Sequence, residues 1–414
     1  MSEWTEVKLG DVLVKITKGT TPPRGKGFVD DGINYIKSDA IGYDGRIDDS
    51  LFVSIDEETH EKFKRSQLEK DDILFSMAGV FLGKNAIVKE EHLPANTNQA
   101  LAIIRLNQNL AKPQFVSYYL RQPAVIEYIN NMSGQSAQPN INFQEISSIE
   151  IPLPNIEEQQ NVIEVLSSLD DKIDLLHRQN QTLEQLAETL FRQWFLPAGR
   201  HGVEEADDDW EVLQLQDVAE VKNGFAFSSK SYVDYAPEHL EVLKMGHIER
   251  GGGLRTDPKR DYAPREERLE RYILDKGDIV MAMTDMKDNV VILGVPAMID
   301  ESDRYVLNQR VARIYLKNRD SLINEYLLYV QLKDPDFIAE LQSKANSGVQ
   351  VNLSTASIKE SEILIPPMEL QLEKGNSITD LYLKKEYNDK QIKSLTKLRD
   401  TLLPKLMSGE VRIR

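Results

Sequence analysis

The stretches LEKDDILFSMAG (68–79) and LDKGDIVMAMTD (274–285) carry Leu, Lys, Asp and Ile at identical spacings, as Leu68/Leu274, Lys70/Lys276, Asp72/Asp278 and Ile73/Ile279. Each is a short apolar run entered through a polar turn, which predicts a β-strand. Working outward, the match continues in order. Trp4, Leu9, Asp11 and Val12 answer Trp210, Leu215, Asp217 and Val218. Lys18-Gly19 answers Asn223-Gly224, and Ile36-Lys37 answers Leu243-Lys244. Asn98-Gln99, followed by ALAIIRL, answers Asn308-Gln309, followed by VARIYL. QPNI at 138–141 answers QVNL at 350–353, and IEIPLP at 149–154 answers SEILIPP at 361–367. The offset grows from 206 at Leu68/Leu274 to 212 at Gln138/Gln350, so insertions fall between the shared positions. An ordered series of this kind marks a duplicated module.

Within each copy, short apolar runs alternate with Gly, Asn, Asp and Pro clusters, predicting strands. FVSYYLRQPAVIEYINNM (115–132) and INEYLLYVQLKDPDFIAELQSK (323–344) read as helical, with Pro123 and Pro335 at a break or a helix start. Between and after the modules the period becomes helical. Leu166, Leu169, Ile173, Leu176, Asn180, Leu183, Ala187, Leu190 and Trp194 follow 3–4 spacing, a heptad seam with one polar insert. The 40 residues from Glu157 to Leu196 correspond to roughly 60 Å of helix, stopped by Pro197 and Gly199. A shift of 212 places Ile378, Leu381, Ile392, Leu395 and Leu402 on a second seam, from about Glu369 to Met407. Lys385, Asn388 and Arg399 fall on the same positions, so this seam is expected to move onto Leu398 and Leu406. Residues 157–196 hold eight acidic and three basic side chains, net −5; residues 369–407 hold six and eight, net +2. Opposite charge favours pairing of the two helices.

The expected fold class is α+β: two homologous mixed α/β modules separated by two long helices that form an antiparallel coiled coil. The expected boundaries are 1–154 for the first module, 155–200 for the first helical spacer, 201–367 for the second module, and 368–414 for the second spacer and tail.

Composition narrows the function. There are no cysteines, which excludes disulfides and cysteine-ligated zinc and fits a reducing cytosol. MSEWTEVKLG has no apolar signal core, and Val290–Ile299 is too short to span a bilayer, so a soluble cytoplasmic protein is expected. The net charge of −17 runs against a uniformly basic nucleic-acid binder, although a basic cleft can sit on an acidic body. No Asn-Pro-Pro-aromatic methyltransferase signature, dinucleotide fingerprint or Walker loop occurs; Gly79–Asn85 is one residue short between its glycines and lacks the final Ser or Thr. The six histidines form no metal spacing, and no carboxylate pair points to acid–base work. No catalytic, cofactor or metal residues are therefore nominated.

Four features together resemble the specificity subunits of type I restriction–modification systems: the W-x4-L-x-D-V opening of each half; the L-x-K-x-D-I strand; the entries IPLP-x4-QQ and IPP-x2-LQ, with Gln159, Gln160 and Gln371; and the exits LFRQWF (190–195) and LLPKLMSGEVRIR (402–414). The resemblance implies two target-recognition domains, each reading one half of a split site in double-stranded DNA. It also implies a helical pair that sets the unread gap. The same helices would dock two adenine-N6 methyltransferase subunits, and restriction subunits can join. S-adenosylmethionine, ATP and magnesium would belong to those partners, and this chain would be non-catalytic.

Candidate DNA contacts are loop residues of the types that read bases or clamp phosphates. In the first module they are Lys18, Thr20, Thr21, Arg24, Lys26, Lys37, Asn98, Gln99, Gln135 and Gln138. In the second they are Lys222, Asn223, Lys244, Asn308, Gln309, Arg310, Gln350 and Asn352. The competing reading of Asn98-Gln99 and Asn308-Gln309 is a turn that bonds its own backbone. The alternative function is a structural adaptor that bridges two identical partner proteins without reading DNA; it would lack salt- and sequence-dependent duplex binding.

Overall fold

The computed structural model describes residues 4–23, 26–79, 82–132, 140–196, 210–256, 258–286, 290–347 and 350–413, without the side chains of 346, 347 and 350. Arg24, Gln135 and Gln138 lie outside the described residues, as does the side chain of Gln350. The chain divides into two compact units, Met1–Leu175 with Ile392–Arg414, and Leu176–Gln391.

The duplicated sequence folds into duplicated topology. In the first unit, strands Leu13–Lys18, Leu101–Leu106, Ile73–Ser76 and Asn85–Ile87 form an antiparallel sheet in that order. In the second, Ala219–Asn223, Val311–Leu316, Ile279–Ala282 and Pro296–Met298 repeat it. Beside each lies a smaller sheet built on a parallel pair, Ile33–Ile36 with Ala95–Thr97 and Leu240–Leu243 with Tyr305–Leu307. The ends of each module close on one another, Thr5–Lys8 against Glu150–Leu153 and Glu211–Gln214 against Glu362–Ile365. Pro123 and Pro335 each open a second short helix, Pro123–Met132 and Pro335–Ser343. A proline at the first helical turn loses no hydrogen bond there, which explains its position.

The repeated motifs have structural causes. The aspartate of L-x-K-x-D-I is buried and caps its own turn: Asp72 accepts from Glu69 N at 2.8 Å, and Asp278 from Asp275 N at 2.7 Å. It also pairs with an arginine of the adjacent strand, Asp72 with Arg105 Nε at 2.7 Å and Asp278 with Arg313 Nε at 2.8 Å. The residue before it takes a left-handed conformation in both copies, Asp71 at φ 68° and Gly277 at φ 90°. In the opening motif, Leu9 and Leu215 are fully buried, and Asp11 and Asp217 accept from the backbone of Lys8 and Gln214.

The glutamine of each helix entry is a buried staple. Gln159 accepts from Lys112 N at 2.8 Å and donates to the carbonyls of Leu110 and Pro154 at 3.1 and 2.8 Å. Gln371 accepts from Ile323 N at 3.1 Å and donates to those of Ser321 and Pro366, both at 2.7 Å. Each satisfies three backbone groups that burial would otherwise leave unpaired.

The first long helix is continuous over Ile156–Phe195. The second begins with a turn at Met368–Leu370, passes through a π-helical turn at Gln371–Gly375 and runs on as Asn376–Met407. Gly375 faces the leucine and isoleucine side chains of its module, where a Cβ would stand 3.0 Å from Leu327 Cδ1. Within each unit the two helices pack antiparallel. In the first, Leu166 shares a core with Leu403 and Leu406, and Arg399 Nη1 donates to Asp170 at 2.9 Å. In the second, Ala187 and Phe191 share a core with Ile378 and Tyr382, and Asn388 Nδ2 donates to Asn180 Oδ1 at 2.9 Å.

Of the seam positions, Leu166, Ile173, Leu176, Asn180 and Ile392 are buried, while Leu169, Leu183, Leu190, Leu395 and Leu402 are half-buried. The polar positions of the second seam are partnered: Asn388 and Arg399 as above, and Lys385 with Asp389 at 3.1 Å. The expected move onto Leu406 occurs, but Leu398 is 46% exposed. Arg399 takes the inward position in its place, because Asp170 stands opposite to neutralise it.

Candidate nucleic-acid interface

In each module three turns come together at one edge of the sheets. In the first, Gly19 follows the strand that ends at Lys18, and its N–H donates to Leu101 O at 3.1 Å. Thr20 N donates to Thr97 O at 2.9 Å, and Gln99 N donates to Thr21 Oγ1 at 3.4 Å. Thr97 Oγ1 donates to Ile36 O at 2.7 Å, which brings up the turn that begins at Lys37. The second module repeats this. Phe225 N donates to Leu307 O at 2.8 Å, Gln309 N to Phe225 O at 2.9 Å, and Asn308 N to Leu243 O at 3.1 Å, beside Lys244.

Lys18, Thr20, Thr21, Lys37, Asn98 and Gln99 therefore cluster, as do Lys222, Asn223, Lys244, Asn308, Gln309 and Arg310. Lys18, Lys26, Gln99, Lys222, Gln309 and Arg310 are exposed. Some candidates are already engaged. Asn98 Oδ1 accepts from Ala100 N and Asn308 Oδ1 from Arg310 N, both at 3.2 Å. These two asparagines thus shape their turns, as the competing reading held. Lys244 Nζ meets Asp261 at 2.5 Å and lies 3.8 Å above the Tyr232 ring. Asn223 accepts from Thr355, and Lys222 lies over Tyr315. Asn352 lies in a small sheet of its own, where its Oδ1 accepts from Thr284 Oγ1 at 3.0 Å; the next residue ties that sheet to the turns, Leu353 N donating to Met283 O at 2.8 Å and Met283 N to Arg310 O at 3.0 Å.

Beneath the Lys244 turn lies a buried charged group. Glu241 is met by His247 Nε2 at 3.2 Å, Arg304 Nη2 at 3.1 Å and Arg260 Nε at 3.3 Å. His247 Nδ1 accepts from Lys244 N at 3.2 Å, so the ring proton sits on Nε2, facing the carboxylate. Burial pushes the Glu241 carboxyl up, but the His247 hydrogen bond and the Arg304 charge outweigh it and hold it below its usual value of 4.5. A depressed carboxyl contributes stability above its unfolded-state value and loses it as pH falls through the folded one. Stability measured by urea unfolding should therefore fall as pH drops below 4.5, and Glu241→Gln should flatten that dependence. An unchanged slope in Glu241→Gln would remove this group as its source.

The turns of the second module border an open hollow of about 410 Å³, lined by Phe227, Tyr232, Lys244, Met245, Gly246, Asn308, Gln309 and Arg310. Aromatic rings and a thioether make part of its wall, and Lys244, Gly246 and the amide and guanidinium groups of Asn308, Gln309 and Arg310 the rest.

The model of the type I restriction modification DNA specificity domain matches this chain twice, over residues 1–185 and 207–397. The chain belongs to that family. Among its relatives, the MjaIX specificity subunit of Methanocaldococcus jannaschii is 26% identical over 345 residues, covering 80% of this chain and 76% of that protein. The HindI specificity subunit of Haemophilus influenzae is 24% identical over 412 residues, covering 84% and 88%. The crystal structure of a type I S subunit from M. genitalium aligns with a TM-score of 0.53 at 18% identity, over 97% of this chain and 96% of that one, a likeness of fold. In a DNA specificity protein of this family the duplicated turn cluster is the candidate reading face.

Two kinds of residue on that face escaped sequence reading. Arg65 reaches Thr20 Oγ1 at 3.5 Å from a distant helical turn. Phe227 and Tyr232 have no counterpart in the other module to draw attention to them; the only available signal was the aromatic density of NGFAFSSKSY (223–232). Among the described residues no helix is long and apolar enough to cross a membrane, and no group of three His, Cys, Asp or Glu is placed to hold a metal.

Proposed function

We propose that this chain is the non-catalytic address of a type I methyltransferase or restriction complex, reading a bipartite site in double-stranded DNA. Each module reads one half-site through its Gly–Lys–Asn-Gln turn cluster. The observation that carries this is the duplication of that cluster, in the same sheet context, on a chain that the specificity-domain model matches twice. Because exposed loop residues differ between copies, the half-sites differ. Lys18, Lys26, Lys37, Lys222 and Arg310 supply phosphate and base contacts, locally basic despite the acidic total. The proposed boundaries are 1–154, 155–200, 201–367 and 368–414.

The long helices dock two copies of one methyltransferase subunit, which brings S-adenosylmethionine; restriction subunits, where present, bring ATP and magnesium. Leu175 and Leu186 of the first helix are 42% and 43% exposed, and 212 residues later Tyr387 and Leu398 of the second are 55% and 46% exposed. Uncovered apolar side chains at repeat-equivalent positions suit two identical partners. The complex works in the cytoplasm.

Equilibrium duplex binding by the chain with its methyltransferase partner tests this. Affinity should fall steeply with salt, and each true phosphate contact replaced by alanine should reduce the log–log slope by about 0.9. Lys18→Ala and Lys222→Ala are the first variants. Salt-independent binding, or none from an intact complex, would favour an adaptor that bridges two partners without reading DNA.

A further inference from the structure

The two reading faces differ in chemistry at equivalent positions. Where the second module has Phe225, Phe227, Met245, Gly246 and Arg310, the first has Thr20, Pro22, Ser38, Asp39 and Ala100 at matching offsets. The second therefore offers an apolar wall and the first hydroxyl and carboxylate groups.

The hollow joins Phe227, Tyr232 and Met245 on one side to Asn308, Gln309 and Arg310 on the other. Its aromatic side is braced. Phe227 stacks on Tyr232 at 6.1 Å between centroids, and packs edge-on against Phe225 at 4.9 Å. Phe225 in turn meets Tyr272 at 5.6 Å. Lys244 also lines the hollow, its Nζ paired with Asp261 at 2.5 Å and 3.8 Å above the Tyr232 ring. The side chains of Gln309 and Arg310 are exposed, and Arg310 forms no ion pair among the described residues. A rigid apolar wall beside free amide and guanidinium donors suits one kind of base edge. In the major groove only the C5 methyl of a pyrimidine is apolar, while amides and guanidinium read the neighbouring acceptors.

We infer that the second module reads a 5-methylpyrimidine edge through Phe227, Tyr232 and Met245, and that the first module does not. The source in ordinary DNA is thymine; 5-methylcytosine presents the same group. This rests on the proposed reading of DNA by the two modules.

The test uses the full chain with its methyltransferase partner and duplexes carrying its mapped motif. Each thymine is replaced singly by deoxyuridine, which removes one methyl, and each cytosine by 5-methylcytosine. At one position of the second module's half-site, loss of the methyl should weaken binding about four-fold, the worth of one buried methyl. If that position is cytosine, methylation should tighten binding by a similar factor. Met245→Ala and Phe227→Leu should reduce the difference below two-fold, with thermal melting checking that both remain folded. Substitutions in the other half-site should be unaffected by either variant. Sequence-specific binding that ignores deoxyuridine and 5-methylcytosine throughout the second half-site overturns the inference and leaves the DNA-reading function standing. A folded complex with no sequence-specific binding overturns the function itself.

Discussion

Gly19→Ala and Gly224→Ala are each expected to destabilise their module by about 3 kcal/mol and to weaken sequence-specific duplex binding about 100-fold. The reason is space. Neither glycine has a left-handed backbone. A Cβ on Gly19 would stand 2.1 Å from Asn98 O and 2.2 Å from Thr97 O; on Gly224, 2.3 Å from Asn308 O and 2.5 Å from Leu307 O. These are main-chain atoms, so no side chain can swing aside. Opening the turn would break the bond from Gly19 N to Leu101 O, or from Phe225 N to Leu307 O. It would also displace Asn98-Gln99 or Asn308-Gln309 from the reading face. Thermal melting and fluorescence anisotropy on a cognate duplex measure both effects. Wild-type melting and affinity in both variants would show that the Gly–Asn contact has no role.

Asp72→Ala should cost about 3–4 kcal/mol, because it strips a buried anion from Arg105 and removes the cap on Glu69 N. For a unit of about 200 residues this lowers Tm by roughly 6–16 °C. Arg105 lies on the adjacent strand of the same sheet and is 22% exposed in its side chain, so water offsets part of the loss. The double variant Asp72→Leu with Arg105→Leu should recover much of it, since two apolar groups leave no buried uncompensated charge and Glu69, the other partner of Arg105, is exposed to water. Asp278→Ala, with Arg313 as partner, should act alike on the second module. Calorimetry of the single and double variants decides. A double variant no better than Asp72→Ala would place the cost in the lost cap.

The architecture was legible because the same constraints are met twice. Asp72 and Asp278, Gln159 and Gln371, Leu9 and Leu215 occupy equivalent buried places, and a chemical need satisfied twice leaves a visible sequence repeat. The helices showed through their 3–4 spacing. Leu398 misled because periodicity scores apolarity alone, whereas the inward position is held by Arg399 facing Asp170, a match of charges on different helices. The candidate site was legible in part. Residues next to the repeated turns come together in each module, and the QPNI/QVNL repeat that carries Asn352 pairs back onto the strand motif in both copies, Asn140 with Ala78 and Asn352 with Thr284. Lys244 reads as a free cation in sequence, whereas folding brings Asp261 and Tyr232 to it. The hollow depends on Phe227 and Tyr232 meeting Met245 and Arg310 across distant segments. Such a juxtaposition belongs to tertiary structure.

The most direct measurement is a map of N6-methyladenine on random-sequence duplex DNA treated with this chain and its methyltransferase partner. The expected result is methylation confined to one split motif with a fixed gap, its two halves changing separately when one module is altered. Methylation without a motif, from a complex that still assembles, would contradict the central claim and leave the chain as an adaptor.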